Sequence, residues 1–145
     1  MPKFSQTSLD RLATCDPRLQ EVANRVIGIV DFTILCGARG KEDQEKAFAE
    51  GNTKVHFPNS YHNKTPSQAF DAMPCPISWD DPFEGLTDEQ KKRVLYYGTQ
   101  CHLAGLFRGV AYEKGYNLTW GGDWNRNGVM EPGDGWDRPH IQNEG

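Results

Sequence analysis

A proline-rich segment in the middle of the chain strongly limits what the protein can fold into. Between residues 53 and 86, prolines occur at positions 58, 66, 74, 76 and 82. Proline fixes its own φ and lacks an amide hydrogen, so neither a long helix nor a central strand can continue through these positions. Irregular segments of this length in a compact domain usually carry function. The histidine, tyrosine and tryptophan side chains within it argue against disorder.

Regular elements are predicted on both sides of this segment. Asp16 followed by Pro17 is a good helix start, and apolar residues then recur at helical spacing as far as Val26. Residues 31–36 form an apolar run that ends at Gly37 and predicts a short buried strand. Residues 42–50 favour a second helix that ends at the glycine that follows them.

The C-terminal half contains the clearest helix signal. Thr87 and Gln90 form a capping box, and the helix is predicted to continue to Gly115. Its expected core-facing stripe consists of Val94, Tyr97, Cys101, Ala104, Phe107 (or Leu103), Val110 and Ala111. Further strands are predicted at about 69–73, 116–120 and 136–142. We therefore expect an α+β fold in one catalytic domain over residues 1–145, with about three helices and a small, mainly antiparallel sheet.

Composition excludes several classes of protein. The 145 residues carry a net charge of −4, so a nucleic-acid-binding protein that depends on a basic face is not expected. No apolar run approaches the ~20 residues that span a bilayer, and the N-terminus lacks the apolar stretch of a signal peptide. We expect a monomer without membrane insertion that is made in the cytoplasm. The four cysteines have irregular spacing and no Cys-x-x-Cys pair, which predicts free thiols.

Histidine and aspartate residues provide the candidate metal ligands. His62 and Asp71 lie in the proline-rich segment, and His140 lies near the C-terminus, after Asp137. Imidazole nitrogen and carboxylate oxygen are donors that Zn²⁺ accepts. His56 is an alternative ligand in the same segment. His102 lies within the predicted long helix, where a structural role is expected.

Short motifs in this order resemble those of the M15 zinc peptidases, a family with a D-Ala-D-Ala carboxypeptidase-like fold. The family includes D-Ala-D-Ala carboxypeptidases and bacteriophage L-alanyl-D-glutamate endopeptidases. The matching segments are Ser60-Tyr61-His62, Ala69-Phe70-Asp71, Asp137-Arg138-Pro139-His140, Gly37-Ala38-Arg39, Gln44 and Trp120-Gly121-Gly122-Asp123-Trp124. The spacing from His62 to Asp71 is two residues longer than is usual in the family.

The resemblance implies a role for each matching residue. The implied zinc ligands are His62, Asp71 and His140. Asp137 would be the general base, with a turn or cap carboxylate as the alternative interpretation. Arg39 would face the oxyanion of the tetrahedral intermediate, with a surface salt bridge as the alternative. Weaker candidates for substrate contacts, each of which could instead serve packing or turns, are Ser60, Gln44, Trp124 and Trp136.

A second metal signal does not depend on the resemblance. Residues 123–134 have the spacing of an EF-hand-like loop, with glycine at its sixth position. The predicted Ca²⁺ donors are Asp123, Asn125, Asn127, the carbonyl of Val129, Glu131 and Asp134. The alternative is a turn cluster stabilised by its own side chains. A Ca²⁺ ion here would have a structural or regulatory role, because the loop directly precedes Asp137 and His140.

Together these features predict a zinc metallopeptidase that hydrolyses peptidoglycan. The expected activity is that of a phage endolysin, which cleaves the L-Ala–D-Glu amide of the stem peptide after release from the host cytoplasm and so causes cytolysis. One alternative is a D-Ala-D-Ala carboxypeptidase. The other is a non-catalytic, metal-stabilised module that binds the cell wall without turnover. No separate cell-wall-binding domain is expected.

Overall fold

A computed structural model describes all 145 residues of the chain. The internal contacts divide the chain into two compact units, residues Met1–Ser78 and Trp79–Gly145. Each unit has its own helices and its own antiparallel strand pair. The expected α+β class with small antiparallel sheets is confirmed. None of the helices combines the length and the hydropathy that crossing a bilayer requires.

The first unit packs short helices against a two-stranded ladder. Its elements are helices α1 (Gln6–Leu12), α2 (Pro17–Val26) and α3 (Lys41–Ala49), the 3₁₀ helix η1 (Tyr61–Asn63), and strands β1 (Phe32–Cys36) and β2 (Asp71–Pro74). Helix α2 begins as predicted, because the Asp16 carboxylate accepts a hydrogen bond from the Arg18 amide and Pro17 occupies the first turn. The other predicted elements appear within a few residues of their expected ends.

The core of this unit forms where α1 and α2 meet β1. Leu12, Ala23 and Ile34 are buried, and partly buried phenylalanines at positions 4, 32 and 70 pack around them. Ser8 ties α1 to the strand, because its hydroxyl accepts a hydrogen bond from the Ile34 amide at 3.1 Å. A buried polar contact of this kind fixes the position of the helix along the strand.

The β1–β2 ladder contains an irregularity beside the predicted site. Ile34 pairs with Ala72, but the next pair joins Cys36 to Asp71, so one residue of β1 has no partner. Such a bulge places an extra residue in one strand and re-aims the side chains that follow it. As a result, Cys36 and Asp71 are directly opposite one another at the end of the ladder.

The second unit contains the long helix α4 (Asp88–Lys114) and the antiparallel strands β3 (Leu118–Trp120) and β4 (Ile141–Asn143). The capping box of Thr87 with Gln90 forms as predicted. The helix ends at Gly115, whose φ of 71° is in the left-handed region that glycine adopts without strain. The long loop between β3 and β4 contains the remaining predicted site residues.

Three details differ from the sequence-based expectations. Helix α1 was not predicted; with seven residues, it is too short to show an apolar periodicity. The predicted core stripe of α4 is only partly buried: Ala104 and Ala111 are buried, whereas Phe107 and Val110 are exposed. In this unit the helix packs on the short strand β3, which covers little of its length. The predicted last strand is shorter, since residues before Ile141 form turns.

Candidate active site

His62 is oriented by a serine hydroxyl and a main-chain carbonyl of the first unit. It lies in η1, where the Ser60 hydroxyl accepts a hydrogen bond from the His62 amide at 3.2 Å. Its ring Nδ1 is 2.7 Å from the Gly37 carbonyl oxygen. A carbonyl can only accept, so Nδ1 carries a proton, and in the neutral imidazole the lone pair is therefore on Nε2. This is the arrangement in which proteins present a histidine to a metal ion.

Asp71 lies beside the free nitrogen of His62. Its Oδ1 is 3.4 Å from His62 Nε2. The Cys36 sulfur joins them, and the three donor atoms lie within 4.8 Å of one another. The structure therefore brings together two of the three predicted zinc ligands and adds a thiol. The sequence analysis overlooked Cys36, although its position at the end of a predicted strand, next to the Gly37–Arg39 motif, was a usable signal.

Arg39 faces the other oxygen of the Asp71 carboxylate. Its Nη2 is 3.3 Å from Asp71 Oδ2, and its Nη1 donates a hydrogen bond to Gln44 Oε1 at 3.3 Å. Gln44 is fully buried, and its amide nitrogen donates to the Val55 carbonyl at 2.8 Å. The structure thus places Gln44 behind Arg39, where it positions the guanidinium.

His56, the alternative ligand, has other partners. Its Nδ1 is 2.8 Å from a carboxylate oxygen of Glu45, and its ring lies against Phe48. The hydrogen bonds from His56 and from the Phe57 amide lower the pKa of the Glu45 carboxyl. The structure therefore pairs His62, not His56, with Asp71.

Asp137 and His140 come together in a turn of the second unit. The His140 amide donates to the Asp137 carbonyl at 3.0 Å, and His140 Nδ1 lies 3.8 Å from Asp137 Oδ2. The other ring nitrogen of His140 is 2.8 Å from Gln142 Oε1. The sequence required a bend for these two side chains to meet, since Pro139 excludes a regular helix there. The structure contains that bend.

The last residue of β3 and the glycine that follows it hold this turn by hydrogen bonds to its carbonyls. The Gly121 amide donates to the His140 carbonyl at 2.8 Å, and the Trp120 indole donates to the Arg138 carbonyl. A Cβ atom at Gly121 would lie 2.0 Å from the Asp137 carbonyl oxygen, so only glycine allows this approach. The Trp-Gly pair therefore positions the Asp137–His140 turn.

Two tryptophans form an aromatic face on the same turn. The Trp124 ring stacks on His140 with centroids 5.6 Å apart, and Trp136 stacks on Trp124 at 5.4 Å. Trp136 is 74% exposed. An exposed aromatic ring that ends a stack beside a histidine is available for contact with a ligand.

The predicted calcium loop is compact and acidic. Asp123 is buried, and its carboxylate accepts hydrogen bonds from the amides of Asn127 and Gly128 at 3.2 and 3.0 Å. Asp134 accepts one from the Glu131 amide at 3.1 Å. The sequence analysis did not identify Arg108 of α4, which donates to Asp123 Oδ2 at 2.8 Å. This guanidinium supplies the positive charge next to the buried carboxylate.

Comparison with known proteins identifies the family of the chain. The chain matches the model of the phage L-alanyl-D-glutamate peptidase family over residues 1–143. It is 30% identical over 131 residues to the L-alanyl-D-glutamate peptidase of Escherichia phage T5, an alignment that covers 87% of this chain and 84% of that protein. A crystal structure of the Serratia marcescens L-Ala D-Glu endopeptidase ChiX aligns at a TM-score of 0.48 and 21% identity, over 87% of this chain and 86% of that one. Because the family match spans nearly the whole sequence, the chain belongs to the phage L-alanyl-D-glutamate peptidase family.

Proposed function

We propose that this member of the peptidase family is a zinc enzyme that hydrolyses the L-Ala–D-Glu amide of the peptidoglycan stem peptide. The observation that carries the proposal is the Asp71 carboxylate. Its Oδ1 lies 3.4 Å from Nε2 of His62, and its Oδ2 lies 3.3 Å from the Arg39 guanidinium. Metal donors next to a fixed cation are what an amide-hydrolysing site requires.

The donor chemistry of these residues fits zinc. His62 and Asp71 offer nitrogen and oxygen donors, and the Gly37 carbonyl holds the histidine in the required tautomer. We propose His140 as the third ligand, as the family resemblance implies. A bound Zn²⁺ would lower the pKa of its water to about 7 and would polarise the carbonyl of the substrate.

Asp137 is the residue proposed to move the proton. Its carboxylate is half-exposed and is therefore accessible to water. It lies 3.8 Å from the His140 ring. It would accept the proton of the attacking water and return it to the leaving amine of the D-Glu residue. The main-chain bonds that hold its turn would keep the backbone of Asp137 in place during both transfers.

Arg39 is proposed to stabilise the negative charge that develops on the substrate oxygen. Its guanidinium is permanently charged and is held from behind by the buried Gln44 side chain. A donor that is already oriented needs no rearrangement when the charge forms. The aromatic face of Trp124 and Trp136 is the proposed wall against which the stem peptide rests. The Ser60 hydroxyl, which caps η1, is proposed to hold the His62 loop in place.

For the loop of residues 123–134 we propose a Ca²⁺ ion with a structural or regulatory role. The proposed donors are Asp123, Asn125, Asn127, the Val129 carbonyl, Glu131 and Asp134. Oxygen donors in this number and spacing suit Ca²⁺ rather than a softer metal. The loop leads directly into the Asp137–His140 turn, so its order would affect the catalytic residues. We further propose that the chain acts as a monomer on cell-wall peptidoglycan, with no nucleic-acid partner.

Digestion of purified peptidoglycan tests the activity. Zinc-loaded wild-type protein should release fragments that carry a new N-terminal D-Glu, identified by mass spectrometry. Asp137→Ala should reduce the rate by about 10²–10⁴-fold, whereas Asp43→Ala, which changes an exposed aspartate of α3, should not. Release of free D-Ala would instead identify a D-Ala-D-Ala carboxypeptidase. Binding to peptidoglycan without any product would identify a non-catalytic module.

A further inference from the structure

We propose that Cys36 is an additional metal ligand in this chain, and that its thiolate binds the ion together with His62 and Asp71. The proposal rests on the proposed function for the identity of the ion, zinc. It starts from the cluster itself, because the Cys36 sulfur, a His62 nitrogen and an Asp71 oxygen all lie within 4.8 Å of one another. The resemblance to the M15 peptidases implies His62, Asp71 and His140 as ligands and leaves this thiol without a role.

The backbone directs the Cys36 side chain to the site. In a regular antiparallel ladder, the residue opposite Asp71 would be the one that follows Ile34. The bulge between Ile34 and Cys36 shifts the pairing by one residue and sets Cys36 opposite Asp71. Since consecutive side chains of a strand point to opposite faces, this shift changes the face on which Cys36 lies. A bulge at this point therefore brings the sulfur to the carboxylate.

The charges around the sulfur suit a bound cation. Arg39 Nη2 lies 3.8 Å from the Cys36 sulfur and 3.3 Å from Asp71 Oδ2. A thiolate and a carboxylate at the same ion bring two negative charges together, and the guanidinium compensates part of that charge. Cys36 also shares the Gly37 carbonyl with His62, at 3.5 Å from the sulfur. The thiol and the imidazole are therefore anchored at the same point of the backbone.

The nitrogen and oxygen donors already have the spacing of a coordination sphere, and the sulfur lies within 4.8 Å of both. Zinc binds sulfur at about 2.3 Å, nitrogen at about 2.0–2.1 Å and oxygen at about 2.0–2.2 Å, so the ligand atoms around one tetrahedral ion lie roughly 3.3–3.8 Å apart. The separation of His62 and Asp71 is already 3.4 Å. Catalytic zinc sites keep one position for water, so a thiolate bound at that position without substrate would have to be displaced by a water molecule before hydrolysis.

A sulfur ligand also changes which metals bind. Thiolate is a soft donor that favours Zn²⁺ and Cd²⁺ over Mg²⁺ and Mn²⁺. The affinity of the protein for zinc should therefore depend on Cys36. Loss of this ligand should weaken Zn²⁺ binding by at least about tenfold, on the scale of other changes around metal sites.

Cobalt substitution tests the sulfur contact directly. Wild-type protein loaded with Co²⁺ should show the near-ultraviolet charge-transfer absorption of a cobalt–thiolate bond. Cys36→Ser should lose this band and bind Zn²⁺ more weakly in chelator competition, while Cys101→Ser, which changes a thiol of α4, should keep both properties. Circular dichroism of each variant confirms that it has folded.

A second measurement needs no variant. Zinc should slow the alkylation of Cys36 by iodoacetamide in the wild-type protein, as mapped by peptide mass spectrometry, and should leave the rate at Cys101 unchanged. The proposal is overturned if the cobalt-loaded protein has no charge-transfer band, or if Cys36 reacts with iodoacetamide at the same rate with and without zinc. If peptidoglycan is still cleaved in that case, the proposed function stands. If the band is present but no cleavage occurs, the thiolate site stands and the peptidase assignment fails.

Discussion

Arg39 and Asp71 face each other across 3.3 Å, with Nη2 of the arginine directed at Oδ2 of the carboxylate. The opposite oxygen, Oδ1, remains directed toward His62. One oxygen of the carboxylate therefore faces a cation, and the other faces a histidine. This arrangement favours the use of a single oxygen as a metal ligand, while the arginine fixes the plane of the group.

The first prediction concerns Arg39. Its removal takes away a fixed positive charge from the place where we propose that the substrate oxygen becomes negative. Arg39→Ala should lower kcat by about 10²–10³-fold, with a smaller change in KM, as measured on a synthetic stem peptide. Arg39→Lys should recover only part of the rate, because lysine lacks the planar fork. Arg25→Ala, at an exposed position of α2, serves as the control. If Arg39→Ala cleaves the peptide at the wild-type rate, Arg39 serves only as a salt-bridge partner of Asp71.

A pair of histidines provides the second prediction. His62→Ala should remove a zinc ligand and so abolish both stoichiometric zinc, measured by elemental analysis, and peptidase activity. His56→Ala is the matched control from the same loop segment, because His56 is paired with Glu45. It should retain zinc and activity. The reverse result would assign the ligand role to His56.

The third prediction concerns calcium and Arg108. Without Ca²⁺, the buried Asp123 carboxylate is compensated by Arg108 at 2.8 Å. When a chelator has removed Ca²⁺, Arg108→Ala should therefore have a free energy of unfolding lower than that of wild type by about 2 kcal/mol or more, the range for a charged hydrogen bond. Added Ca²⁺ should restore part of this loss and raise the Tm of the variant more than that of wild type. Arg93→Ala, elsewhere on α4, should show no such difference. Identical melting curves with and without Ca²⁺ would argue against the calcium site.

The fourth prediction is a pH dependence at the start of α2. Hydrogen bonds from the Arg18 side chain and amide hold the pKa of the Asp16 carboxyl well below its usual range. A lowered folded-state pKa stabilises the fold above the unfolded pKa of about 3.9, and this contribution is lost as the pH falls through the folded value. Asp16→Asn preserves the cap but removes the charge. The variant should be less stable than wild type in urea at pH 7, and the difference should shrink below about pH 4.

Asp43→Asn, at an exposed position of α3, is the control for this titration. Its stability relative to wild type should show no comparable change over the same pH range. A constant difference between wild type and Asp16→Asn at all pH values would mean that Asp16 acts only as a neutral cap.

Local signals predicted most of the fold. The Asp16–Pro17 start, the capping box at Thr87 and the stop at Gly115 are each complete within a few residues, so the sequence alone determines them. Helix α1 and the exposed face of α4 were not predictable in this way. The position of α1 depends on the bond between Ser8 and the Ile34 amide, which joins residues that are far apart in the sequence.

The candidate site was predictable as a set of motifs but not as a geometry. The motifs identified His62, Asp71, Asp137 and His140, because family resemblance gives residue types in order. They could not identify Cys36 or Arg108. The first reaches the cluster through a bulge in strand pairing, and the second approaches the loop from a distant helix. Cys36 does lie next to the Gly37–Arg39 motif in the sequence, but the two contacts themselves depend on strand pairing and helix packing, which no local motif specifies.

The close approach at Gly121 bears on which positions of the Asp137–His140 turn tolerate variation. The turn is held by the carbonyls of residues 137, 138 and 140, so the side chains at 138 and 139 take no part in these bonds. Substitutions at those two positions leave these main-chain bonds intact, although the Arg138 guanidinium also lies over the Tyr97 ring of α4, 5.0 Å from its centroid. A methyl group at position 121, in contrast, would displace the Asp137 carbonyl. Side-chain variation is therefore accessible at the rim of this turn, next to a position that must remain glycine.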